Sequence, residues 1–133
     1  MKKLRVLGVC AGQGALLFPF RENLLGNIEI RGVFHTNCES QWKLNFGDIP
    51  FYKGFCLQEF DEKVDIIISS PDCGSSSVMR LSKVKELGNP KDNRSLNLVI
   101  SSILKYKPKI FLIENLPRLL SLLPKNFFEE TFK

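Results

Sequence analysis

The sequence predicts an α/β fold, a doubly wound and mostly parallel sheet in a single domain. Three observations lead there. Short apolar runs rich in β-branched residues alternate with helical segments from end to end. The runs read as buried parallel strands. The residues with chemical potential fall just past the carboxyl ends of those runs, where such sheets hold ligands. A chain of 133 residues suffices for one domain, residues 1–133, with a real core.

The elements follow in order. "LRVLGVC" (4–10) runs into Gly-x-Gly and reads as a strand feeding a turn. "ALLFPFRENLL" (15–25) is expected to be helical, with Pro19 kinking it or marking its first turn. "IEIRGVFHT" (28–36) is a second strand and "ESQWKLNF" (39–46) a short helix. "GDIPFYKGFCLQEF" (47–60) holds a weak third strand, and "VDIIISS" (64–70) is the clearest strand of all. Residues 72–92 form a long loop. "SLNLVISSILKYK" (95–107) has apolar residues at 96, 99, 100, 103 and 104, an amphipathic helix that Pro108 stops. "KIFLIEN" (109–115) is a fifth strand, expected at an open sheet edge. One more short helix is expected in the tail.

Composition narrows the function classes. The chain is 44% hydrophobic and 25% charged, as soluble globular proteins are. No stretch is long enough to span a bilayer. "MKKLRVLGVCAG" superficially resembles a secretory signal, but Arg5 and Gly12-Gln13-Gly14 interrupt it, so the strand reading is preferred. The net charge of +5 suits an anionic partner such as nucleic acid; a solvated basic surface explains it as well. Cys10, Cys38, Cys56 and Cys73 form no C-x-x-C pair, and His35 is the single histidine. Metal-ligand spacing is therefore absent, and reduced thiols in a cytoplasmic protein are expected.

Each candidate site residue has a functional and a structural reading. Gly12 and Gly14 let a backbone approach a nucleoside or an amino-acid carboxylate, or simply make a tight turn. Glu39, 25 residues past Gly14, suits ribose hydroxyls or the start of a helix. Trp42 stacks on an adenine or sits in the core. Cys73, at a strand end on a proline-stiffened turn, suits an exposed nucleophile or is an inert small hydrophobe. His35 lies on another strand and takes a structural role. Glu114 ends an apolar strand, which favours a raised pKa and proton donation, or pairs with a basic residue. Arg80, Lys83, Lys85, Lys91 and Arg94 outnumber Glu86 and Asp92 in the loop after Cys73, which suits a phosphate backbone or solvent.

In order, these motifs resemble the cytosine-C5 DNA methyltransferases. "VCAGQGAL" is similar to their Phe-x-Gly-x-Gly turn, with Cys10 in place of Phe, followed by Ala11, Gly12 and Gly14. "SSPDCGSSS" is similar to the Pro-Pro-Cys motif, with Pro71, the nucleophile Cys73, and Ser77 at the family's serine. Pro-Asp-Cys resembles a phage and prophage variant. "DNRSLNLV" is similar to the Asp-x-Arg segment, with Arg94 and the following Leu96; "KPKIFLIENLPRL" is similar to the Glu-Asn-Val motif, with Glu114 and Asn115.

The resemblance implies a Rossmann-like S-adenosylmethionine-dependent methyltransferase fold and a DNA substrate. Cys10, Ala11, Gly12, Gly14, Glu39, Trp42, Pro71 and Leu96 would hold S-adenosyl-L-methionine. Cys73, Glu114, Asn115 and Ser77 would be catalytic, and Arg80, Lys83, Lys85 and Arg94 would meet nucleic acid. It implies a cytoplasmic role in a bacterial or phage-infected cell, in DNA methylation or restriction-modification. The family's Gln-x-Arg-x-Arg motif and target-recognition region have no counterpart. The resemblance therefore covers an N-terminal catalytic part, inactive alone or completed by a second polypeptide. The alternative is a non-catalytic remnant that binds cofactor or nucleic acid.

Overall fold

The computed structural model describes residues 2–22, 26–54, 57, 60–73 and 94–133. Five strands form one sheet: β1 (Leu4–Val9), β2 (Ile28–His35), β3 (Phe51–Lys53), β4 (Ile66–Ser69) and β5 (Ile110–Ile113). Their order is β3-β2-β1-β4-β5, and every neighbouring pair is parallel. The chain starts mid-sheet, winds out to one edge, returns, and winds out to the other. The reversal between β1 and β4 is the switch point at which such sheets open a ligand crevice.

The helices are α1 (Phe18–Arg21), α2 (Glu39–Phe46), α3 (Arg94–Tyr106), α4 (Arg118–Leu122) and α5 (Phe127–Thr131). Two expectations change. In place of a helix over 15–25, Ala15–Leu17 form a 3-10 turn and α1 is a single turn, with Pro19 in its opening positions. Proline is tolerated there because its missing N–H would have no intrahelical partner. The tail carries two short helices, not one.

The pleat sends alternate side chains to two cores. On one face Val6, Ile30, Val33, Ile66 and Ile68 pack with Leu17, Trp42 and Phe46. On the other Leu7, Val9, Phe34 and Ile67 pack with Leu98, Val99 and Ile103 of α3. This accounts for the unbroken β-branched run of β4: all its positions are buried, each isoleucine contributing roughly 1.5–3 kcal/mol. β5 is equally apolar but lies at the sheet edge, where Ile110 is 60% and Leu112 50% exposed.

Asp65 ties the N-terminal ends of the central strands together. Its carboxylate accepts the Arg5 N–H at 3.0 Å and faces Arg5 Nε at 3.6 Å and Lys109 Nζ at 3.9 Å. The Arg5 backbone hydrogen bond, then the Lys109 and Arg5 charges, hold this carboxyl below its ordinary value. A lowered folded-state pKa gives stability that is complete above about pH 5 and lost as pH falls through the folded value. Denaturant midpoints measured from about pH 6 down to about pH 2 are therefore expected to fall less steeply in Asp65→Asn than in wild type. Parallel acid limbs would show that Asp65 carries none of the effect.

Candidate active site

The turn after β1 is built by two glycines with different jobs. The Cys10 N–H donates to the Phe34 carbonyl at 2.7 Å, and the Gly14 N–H closes the turn on the Ala11 carbonyl at 3.0 Å. Gly12, at φ 56°, leaves bare backbone beside His35; a Cβ there would lie 3.8 Å from His35 Nε2. Gly14, at φ 88°, faces the core, where a Cβ would fall 2.1 Å from Phe46 Cε2. Ala11 is buried on the same side. Cys10 is buried, its Sγ 3.7 Å from the Ser95 carbonyl, and burial pushes its thiol up to about 12. It stays protonated and is no nucleophile.

At the end of β2 the structure departs from expectation three times. His35 lines the crevice with Thr36 and Asn37. Its Nδ1 accepts the Thr36 N–H at 3.0 Å, and burial pushes its pKa below the ordinary value. Glu39 does not line the crevice; its carboxylate meets Lys43 Nζ at 2.8 Å, and that hydrogen bond and charge hold it below its ordinary value. Trp42 is fully buried, stacked on Phe46 with centroids 4.1 Å apart, its Nε1–H donating to the Ile49 carbonyl at 2.8 Å. With both faces enclosed it offers no surface to an adenine, so the core reading stands.

The turn after β4 is held from two sides. From the end of β5, Asn115 Nδ2 donates to the carbonyl of buried Pro71 at 2.9 Å. From α3, Ser95 Oγ accepts the Asp72 N–H at 3.0 Å. Cys73 follows, exposed and free. In the same turn, Ser70 Oγ donates to Glu114 Oε2 at 2.6 Å, while the Glu114 N–H donates to the Ser69 carbonyl at 2.9 Å. Glu114 is exposed, because the apolar residues before it lie on the sheet edge; the enclosure expected around it is absent among the described residues.

Between these turns lies a cleft of about 490 Å³, within the roughly 300–1,000 Å³ of small-molecule sites. Ser70 and Asp72 close it from β4, Arg94 and Ser95 from α3, Cys10 and His35 from the central strands. This largely polar lining, with one arginine and one aspartate, suits a small polar or charged ligand. Leu96 is not part of it: at 1% exposure it packs with Leu119 and Leu123. Ser77, Arg80, Lys83 and Lys85 lie outside the described residues, as does Cys56; of the basic loop, exposed Arg94 alone among the four expected nucleic-acid contacts is placed. Among the described residues no group of side chains could hold a metal ion, and no helix is long and apolar enough to cross a membrane.

Comparison with known proteins identifies the family and the fold. A family model described as C-5 cytosine-specific DNA methylase matches residues 23–133. No curated protein matches. Among solved structures, the Dnmt2 methyltransferase of S. pombe superposes with a TM-score of 0.69 at 17% identity, over 97% of this chain and 41% of that one. The Entamoeba histolytica methyltransferase EhMeth gives 0.67 at 22%, over 99% and 43%. A mutant DNMT2 of Spodoptera frugiperda gives 0.66 at 21%, over 97% and 40%. The likeness is one of fold, and this chain spans less than half the length of each.

Proposed function

The chain belongs to the C-5 cytosine-specific DNA methylase family, and from that premise we propose that it is the nucleophile- and cofactor-bearing part of a DNA cytosine-C5 methyltransferase using S-adenosylmethionine. The observation that carries the reading is the doubly held turn. Asn115 and Ser95 fix Pro71 and Asp72, the two residues before exposed Cys73, and Ser70 of the same turn, which lines the cleft, holds Glu114.

The chemistry explains why both residues are needed. C6 of cytosine is a poor electrophile, and its base has to be extruded from the duplex to be reached. The Cys73 thiolate adds to C6, forming the S–C6 bond. Glu114 hydrogen-bonds ring N3 and the exocyclic amino group and stabilises the charge that builds there. Ser70 occupies one of its oxygens and orients the carboxyl group. When bound, the cofactor supplies an electrophilic methyl group, which C5 takes. A base then removes the C5 proton, and the returning electron pair expels the Cys73 thiolate. The polar residues of the lining, among them Ser70, Asp72 and Ser95, are those that would hold the cofactor.

We assign target recognition to a second polypeptide. The exposed apolar residues of β5, Ile110 and Leu112, support this. A cytoplasmic setting, in a bacterium or phage-infected host, goes with the reading.

The test has two arms. Calorimetric titration of S-adenosylhomocysteine into the purified chain is expected to show binding, undiminished in Cys73→Ser. A 5-fluorocytosine oligonucleotide with S-adenosylmethionine is expected to trap a covalent complex that Cys73→Ser loses entirely. A folded chain that binds no S-adenosylhomocysteine would sink the proposal; so would an adduct that survives Cys73→Ser.

A further inference from the structure

We propose that His35 holds a ribose hydroxyl of the bound nucleoside, an imidazole standing where nucleotide-binding sheets of this type carry a carboxylate. The inference rests on the cofactor reading above and adds a residue to it. His35 is the last residue of β2 and lines the cleft beside the central strand. It stands 21 residues past Gly14, close to the roughly 20-residue spacing at which an acid meets a ribose hydroxyl in such sheets. The nearest acid along the chain, Glu39, is bound to Lys43 and lies outside the cleft; Asp72 enters the cleft from the turn after β4.

The ring is oriented for the task. The Thr36 N–H donates to Nδ1 at 3.0 Å, so the neutral imidazole carries its proton on Nε2. Nε2 lies on the side where Gly12 leaves the backbone bare. A carboxylate would accept a hydrogen bond from a ribose hydroxyl; His35 donates one to the hydroxyl oxygen. The ligand class is a nucleoside with an unmodified ribose.

His35 is the chain's single histidine, so ring ¹H–¹⁵N spectra report on it alone. S-adenosylhomocysteine is expected to shift the Nε2–H resonance while Nδ1 stays unprotonated. Calorimetry then compares S-adenosylhomocysteine with its 2′-deoxy and 3′-deoxy ribose analogues. One analogue is expected to bind wild type about five- to tenfold more weakly. His35→Ala should bind all three alike, and His35→Gln, which keeps a side-chain donor, should regain part of the preference. Circular dichroism confirms that each variant is folded. If both analogues lose affinity equally in wild type and His35→Ala, the assignment is overturned and the cofactor reading survives. If the folded wild type binds none of the three, the cofactor reading itself fails.

Discussion

Gly14→Ala is expected to melt about 8–20 °C below wild type, and Gly26→Ala far less. Both glycines are left-handed, at φ 88° and 85°. Each alanine meets the same backbone strain, about 1–2 kcal/mol. They differ in surroundings. Nothing lies within 4 Å of a Cβ at Gly26, whereas one at Gly14 meets Phe46 at 2.1 Å and 2.6 Å and Trp42 at 2.9 Å. Those rings are stacked on each other and buried, so neither can swing aside. Overpacking adds about 1–3 kcal/mol. Thermal melts of the two variants separate strain from packing. Equal drops would show that the rings yield.

The second large effect is at Trp42. Trp42→Ala is expected to cost about 3–5 kcal/mol, much of the roughly 5–15 kcal/mol of a typical domain. Its ring, fully buried, is half of the Trp42–Phe46 stack, and its Nε1–H is the partner of the Ile49 carbonyl. Trp42→Phe keeps most of the stack and loses that hydrogen bond, for about 1 kcal/mol plus some volume. Urea titrations measure both. The milder variant also separates core from cofactor roles: S-adenosylhomocysteine should bind Trp42→Phe as it binds wild type. A tenfold loss in a folded Trp42→Phe would return the indole to the ligand.

What could be read from the sequence follows from how local each signal was. β4 is legible because a run of isoleucines buried on both faces needs no context. α2 falls on the expected 39–46, closed by Gly47. The segment from Ala15 differs from its helical pattern because it follows left-handed Gly14 and begins as a 3-10 turn. Trp42 shares a helix with Glu39, yet its direction depends on the gap that Gly14 leaves 28 residues earlier. Glu114 was expected among apolar neighbours; they are present, but strand order, a nonlocal property, puts them on the edge. His35 reads as structural because it lies on a different strand from Cys73. Its distance from Gly14 was the signal that could have found it. The order Cys73, then Glu114-Asn115, was visible from the start; that Asn115 and Ser95 clamp the same turn required the fold.

The sheet order has a consequence for a chain still being made. β1 leaves the ribosome before the other four strands, yet its place is in the centre. β2 can cover only one of its sides; the other waits for β4, thirty-odd residues later, on the order of seconds at the pace of translation. During that wait Val6 to Val9 present an unpaired flank to whatever else is nascent nearby. The glycine turn and the cysteine turn belong to opposite sides of the same seam, so the pocket comes into being only when that seam closes, late in biosynthesis.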